Sequence, residues 1–207
     1  MSWQILTCYI IVDGEGCKMR YYWVVPEDLR DKCNIEFCFF VTQIDFPTYD
    51  ILVGKSMLHY WPTNARFEFE RHNGYVITEC FDNDMNWPIY STRITRWLQE
   101  KQDYGLEYLP AQIVSTNSEM VLDNYKVVNI THVIDVIDLN HSKYSMYDTG
   151  DLMMVLPSFK RKVLAELHPT IFKTKMNEIP IYVSEEFKHF WEEEKLAGLD
   201  FHEIRQV

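Results

Sequence analysis

The chain has 207 residues, 47% hydrophobic and 15% aromatic, enough apolar material for a sizeable core and unlike a disordered composition. Its 20 Lys and Arg against 31 Asp and Glu leave a formal charge of −11. That balance repels phosphate backbones, which argues against nucleic-acid binding, and it favours encounter with basic partners.

Five cysteines, an odd number with no CxxC spacing, point away from a disulfide framework or a structural zinc site. Free thiols suit a reducing cytoplasm. Ile5 to Val12 is an apolar run with no basic flank, too short to span a membrane, and reads as a buried strand closed by the Asp13-Gly14-Glu15-Gly16 turn.

Met19 to Val25, Asn34 to Val41 and Tyr49 to Val53 read as further strands. Ala65 to Arg71 alternates apolar and charged residues, and His72-Asn73-Gly74 separates it from Tyr75 to Cys80. Asn-Gly accepts the positive φ angles of a tight turn, so this pair is expected to form a hairpin. Ser91 to Gln102 is expected to be a helix, with Ile94, Trp97 and Leu98 on one face, Ser91 as cap and Gly105 as stop. Asn117 to Asp123 reads as a shorter helix and Tyr125 to Leu139 as a long strand. Tyr144 to Gly150 is turn-like, and Val163 to Leu167 and Thr170 to Lys173 read as strands around Pro169. Near the end, Ile181 to Val183 is a strand and Ser184 caps a helix striped by Phe187, Phe190 and Trp191. Gly198 stops that helix before a strand from Leu199 to Ile204.

The two capped helices align without a gap, Ser184 lying 93 positions after Ser91. Trp97 then matches Phe190, Leu98 matches Trp191, Gly105 matches Gly198, and Leu106-Glu107-Tyr108 matches Leu199-Asp200-Phe201. Pro88-Ile89-Tyr90 matches Pro180-Ile181-Tyr182 with one extra residue, Val183. Any capped amphipathic helix between strands shares a cap and a stop; the matched approaches and exits favour an internal duplication. The expected fold is α+β, mostly antiparallel strands with two equivalent strand-helix-strand units. Residues 1–87 form a strand-rich part, and 88–207 hold the two units with a strand-rich segment between them, compatible with one compact domain.

Several stretches together resemble the bacterial immunity proteins of polymorphic toxin systems, in the group numbered eleven, formerly a domain of unknown function. They are Gly54-Lys55-Ser56 with Trp61-Pro62 and Phe67, then Trp87-Pro88-Ile89-Tyr90-Ser91. Tyr125-Lys126-Val127-Val128-Asn129 follows, running on to Val133-Ile134-Asp135-Val136-Ile137-Asp138. Ile171-Phe172-Lys173, Ile181 to Phe187 and Gly198-Leu199-Asp200-Phe201 complete the set. The N-terminal fifty residues carry none of these motifs, and Asn83 to Asn86 departs from the family's glycine-containing approach to the helix. The resemblance implies a cytoplasmic protein, not an enzyme, that binds a cognate toxin domain. It brings no catalytic residues, metal or cofactor.

His132, Asp135, Asp138 and His141, spaced by three, are the one group with the composition of a metal site. They support the alternative of a small metal-dependent hydrolase. Steps of three alternate faces on a strand and drift around a helix, so neither geometry gathers all four. Ser91 and Ser184 lie where N-caps belong and outside any G-x-S-x-G elbow. From Ser184 onward seven acids face three bases. Asp82, Asp84, Glu185, Glu192 and Glu193 are therefore the candidate contacts to a partner with a basic face; the sequence suggests neither a nucleic-acid nor a membrane partner.

Overall fold

A computed structural model describes residues 19–27, 36–101, 103–148 and 152–207. The expected strand at Ile5 to Val12 and its turn lie outside them. In chain order the elements are β1 (Tyr21–Pro26), β2 (Phe37–Phe40), α1 (Tyr49–Leu52), β3 (Arg66–Phe69), β4 (Cys80–Asn83), β5 (Ile89–Ser91) and α2 (Thr92–Glu100). Then come β6 (Leu106–Pro110), β7 (Gln112–Ser115), β8 (Val121–Leu122), β9 (Tyr125–Ile130), β10 (Val133–Ile134), β11 (Lys143–Met146), β12 (Leu152–Leu156) and β13 (Ser158–Phe159). The chain closes with α3 (Arg161–Leu167), β14 (Ile171–Thr174), β15 (Asn177–Ser184), α4 (Glu185–Glu193), β16 (Leu199–Glu203) and β17 (Arg205–Gln206). No helix among the described residues is long and apolar enough to cross a membrane.

The α+β class holds, but the sheets are mixed. β2 runs parallel to β4, β3 to β7, β10 to β14 and β13 to β17. Six local expectations change. Tyr49 to Val53 is helix α1, started by the Asp50 N–H donating to Pro47 O and closed by an Asp50–Lys55 ion pair. The Ala65–Cys80 hairpin does not form, because β3 is already flanked by β2 and β7. The Asn73-Gly74 turn does form, and buried Glu36 holds it by accepting from His72 N and the Arg71 guanidinium. Asn117 to Asp123 is no helix: the Asn117 amide bonds both N and O of Arg71, and Val121 and Leu122 pair with β7. Val163 to Leu167 is helical, built from good helix formers around buried Leu164 and ended by His168 in the left-handed region. Tyr144 to Met146 is strand rather than turn. The long run from Tyr125 also breaks at Thr131 and His132, whose N–H groups both donate to Gly105 O.

The two capped helices sit in one wiring pattern, seen twice. β5 and β6 are parallel and flank antiparallel β9; β15 and β16 are parallel and flank antiparallel β1. Five strands follow in matching order, β6-β9-β5-β4-β2 and β16-β1-β15-β14-β10. The register agrees position by position. Ser91 faces Tyr125 as Ser184 faces Tyr21; Leu106 faces Ile130 as Leu199 faces Pro26; Phe37 faces Asp82 as Val133 faces Lys173. The flanking hydrogen bonds match too: Thr92 N to Asn124 O and Glu185 N to Arg20 O, then Thr131 N to Gly105 O and Glu27 N to Gly198 O. In this register Tyr90 corresponds to Val183, so the two Pro-Ile-Tyr triplets are one position out of step. The inserted strands are exchanged: β1, from early in the chain, lies between β15 and β16, and β9, which follows β5 and β6 in the chain, lies between those two.

α2 and α4 pack antiparallel, with Trp97 stacked on Phe190 at 4.5 Å. These residues correspond under the helix alignment, as do the two ends. Arg93 pairs with Glu194 and Lys101 with Glu186, position i meeting j and j meeting i as across a two-fold axis. Between the helices and both sheets lies one shared core containing Tyr90, Ile94, Leu98, Val128, Phe187 and Trp191. The far face of each sheet has its own cluster, around Trp87 and Phe67 on one side and Phe172 and Tyr182 on the other. Trp97 and Phe190 are half-buried at the rim; Leu98, Phe187 and Trp191 are fully inside. Trp191→Ala is expected to cost about 3–5 kcal/mol in urea denaturation, with Phe190→Ala costing less because its ring is only partly withdrawn from water.

Candidate functional site

The structure disperses the His/Asp tetrad. Asp135 is exposed and faces Lys160 at 3.6 Å, Asp138 pairs with His141 at 3.2 Å, and His132 packs against the Gly105 backbone. Among the described residues no group of three or more His, Cys, Asp or Glu side chains could hold a metal ion. Ser184 caps α4 by accepting from Phe187 N at 3.3 Å. Ser91 occupies the N-cap of α2 without a side-chain bond, so that cap reading holds in position only.

The motif residues instead build a buried polar cluster. Gly54 has φ +74°, and a Cβ there would lie 2.7 Å from Ile130 O, so the chain passes too close for a side chain. The carboxylate of buried Glu107 accepts from Ser56 Oγ and from Met57 N at 2.8 Å. Asn129 donates to Glu107 at 2.8 Å and to Lys55 O at 2.7 Å. Lys173, 1% exposed, donates from Nζ to Leu52 O, Glu178 O and Ile179 O. Burial pulls its pKa down to about 8, against the carboxylate field of Glu178. Three motifs distant in sequence thus meet around the Leu52–Met57 turn. None of these residues stood out by composition; a charged or amide residue inside an apolar strand, as in Ile171-Phe172-Lys173, was the available signal.

The acidic candidates fall on two elements. On α4, Glu185 bonds both the backbone and the guanidinium of Arg20, which overcomes the desolvation of its carboxylate and holds its pKa low. Glu192 lies 3.5 Å from Lys188, and Glu193 is exposed with no ion pair among the described residues. Glu186 and Glu194 join α2 to α4. The charge run is therefore partly spent on holding helices in place, and Glu185 is structural as well as surface-facing. Asp84 is exposed and accepts from Phe40 N at 2.9 Å. Asp82 is half-buried on β4; desolvation raises its carboxyl pKa, opposed by the N–H of Asn83 at 3.0 Å.

Asp82 lines a cleft of about 280 Å³ between β4 and β5 on one side and β1, β15 and β16 on the other. Its walls are largely apolar, including Trp87, Pro26 and Leu199. A second unusual surface is the β11–β12 ribbon, which forms a two-stranded sheet of its own. Met146 is 66% exposed there and Val155 54%, with Tyr144 and Leu156 also in water. Exposed apolar side chains grouped on one ribbon are characteristic of an interaction surface.

Lys173→Met is expected to destabilise the protein by about 1–3 kcal/mol at neutral pH by stranding buried carbonyls. Because the folded-state pKa is depressed, the unfolded chain binds more protons between about pH 8 and the ordinary lysine value of 10.5. The wild-type advantage over the methionine variant should therefore grow as pH rises through that window and fall back as pH drops through 8. Denaturation of both proteins at stepped pH checks this.

No curated protein matches the sequence. The sequence pattern of the immunity protein family Imm11 matches residues 18–206. The match takes in β1 and most of the N-terminal fifty residues, which carry none of the short motifs but supply the strand between β15 and β16. With nearly its whole length matched, this chain belongs to the Imm11 immunity protein family.

Proposed function

We propose that this protein is a stoichiometric inhibitor that binds and neutralises a cognate toxin domain in the cytoplasm of the producing cell, without catalysis. Family membership over residues 18–206 is the observation that carries the reading. The surplus of 11 acidic charges supports a partner with a basic face, as a toxin acting on nucleic acid or nucleotides would have. Asp82, Asp84, Glu185, Glu192 and Glu193 are the acidic contacts in this reading. The apolar β11–β12 ribbon adds area that leaves water on binding, which slows dissociation. We also infer that the matched sheets descend from one duplicated unit, a reading supported by their common strand order and register.

The test is growth rescue, when this chain is co-expressed with the toxin domain encoded beside it, followed by binding kinetics. Joint replacement of Glu192 and Glu193 by Gln should slow association about three- to tenfold at low salt and leave dissociation nearly unchanged. Raising the salt should slow the wild type in the same way. Glu185→Gln should in addition lower thermal stability, because it releases Arg20. An association rate indifferent to salt and to the double replacement would remove the electrostatic part, and absence of any binding would remove the whole proposal.

A further inference from the structure

The matched halves hold one pair of equivalent positions in opposite states. On one side, the end of β9, strand β14 and strand β6 enclose the chain's own Leu52–Met57 turn. Lys173 donates to Leu52 O at 2.7 Å, Asn129 to Lys55 O at 2.7 Å, and Glu107 accepts from Ser56 and Met57. Gly54 lies against Ile130 and Thr131. The strand registers carry this site onto the other half. Asn129 corresponds to Val25, Ile130 to Pro26, Thr131 to Glu27, Lys173 to Asp82, and Glu107 to Asp200. Val25, Pro26, Glu27 and Asp82 line the open cleft, which no described residue fills, and Asp200 follows the lining residue Leu199.

The substitutions at matched positions specify what would sit there. Lys173 is a donor that grips a carbonyl at the end of a short helix; Asp82 can only accept. The one hydrogen bond to its carboxylate among the described residues comes from the adjacent Asn83 N–H, so most of the carboxylate's acceptor capacity is unused. Val25 replaces the amide that hooks Lys55 O, leaving an apolar wall. Asp200 keeps a carboxylate at Glu107's register position. A cleft of about 280 Å³ holds a turn and a side chain or two, not a helix, which is about 10 Å wide. The exposed rings and chains of Trp23 and Ile179, 40% and 53% accessible, stand at its lip. A second copy of this chain, itself at −11, is repelled from such a site.

Resting on the immunity reading, we infer that this cleft seats a turn of the partner toxin bearing a lysine or arginine, whose cationic head bonds Asp82. The toxin turn takes the place that Leu52–Met57 takes in the twin site, with donor and acceptor reversed.

The test uses the full chain and the toxin domain encoded beside it, with Kd from calorimetry and hydrogen exchange on the wild-type complex. Asp82→Asn should weaken binding at least about tenfold, and Asp82→Lys and Ile179→Arg further, with unchanged melting temperatures. Exchange protection on binding should fall on residues 24–27 and 80–83. If the toxin binds the wild type while all three variants stay within about twofold of it, or protection lies elsewhere, the cleft is not the seat and the immunity reading stands. A variant that melts early is set aside, and the wild-type exchange map decides. Variants that weaken self-association of this chain rather than toxin binding would assign the cleft to a second copy and overturn the inference. Failure of the wild type to bind the toxin overturns both readings.

Discussion

Two parallel strands joined by one helix cannot bond each other when a strand-wide gap separates them. In this molecule each such gap is closed by a strand from the other half: β9 between β5 and β6, β1 between β15 and β16. Without the inserted strand, both inner edges would expose rows of unpaired backbone groups. Neither half can satisfy its sheet alone, so the exchange ties their stabilities together. The α2–α4 contact and the shared core follow from it, because the exchanged strands bring both helices to one axis. There Trp97 meets Phe190, and the ion pairs at the two ends repeat each other.

Symmetry of the frame leaves asymmetry of the side chains free to carry specificity. At one matched position stands a buried lysine satisfied by three carbonyls, at the other a half-buried aspartate satisfied by one N–H. The same contrast separates Asn129 from Val25. One half spends its polar groups inward, on the Leu52–Met57 turn, and the other presents them towards solvent. The long insertions diverge as well: α1 lies against β9, while among the described residues β11 and β12 pair only with each other. The closed site stabilises the fold, and the matching face of the other half is left unfilled by the described residues.

The acidic character of the chain is distributed over these tasks. Glu186 and Glu194 clamp helices, Glu185 ties the N-terminus of α4 to Arg20, and buried Glu36 organises the His72–Tyr75 turn. Surface ion pairs of this kind contribute little stability singly. Their larger effect is on the long-range field, because they neutralise part of it and leave acids such as Asp84 and Glu193 without an ion pair among the described residues.

Local rules were enough to read the two Ser-capped helices, their stripes and their glycine stops, because caps and 3.6-residue periodicity act within a few residues. The α+β class and the gapless helix alignment were legible for the same reason, and the family through the resemblance of its short motifs. Pairing partners were not. The Asn73-Gly74 turn forms as its sequence asks, but no hairpin follows, since β3 has both edges taken by strands from elsewhere. Lys173, Glu107 and Asn129 read as ordinary strand residues until chain segments far apart meet around Gly54. The Pro-Ile-Tyr match, persuasive as text, is one position out of register in space. Sequence alone determined the two capped helices, which segments are apolar and what net charge the chain carries. Strand exchange, the buried polar cluster and the open twin site were decided by tertiary structure, because hydrogen bonds between strands and the burial of a charge depend on neighbours that no local window contains.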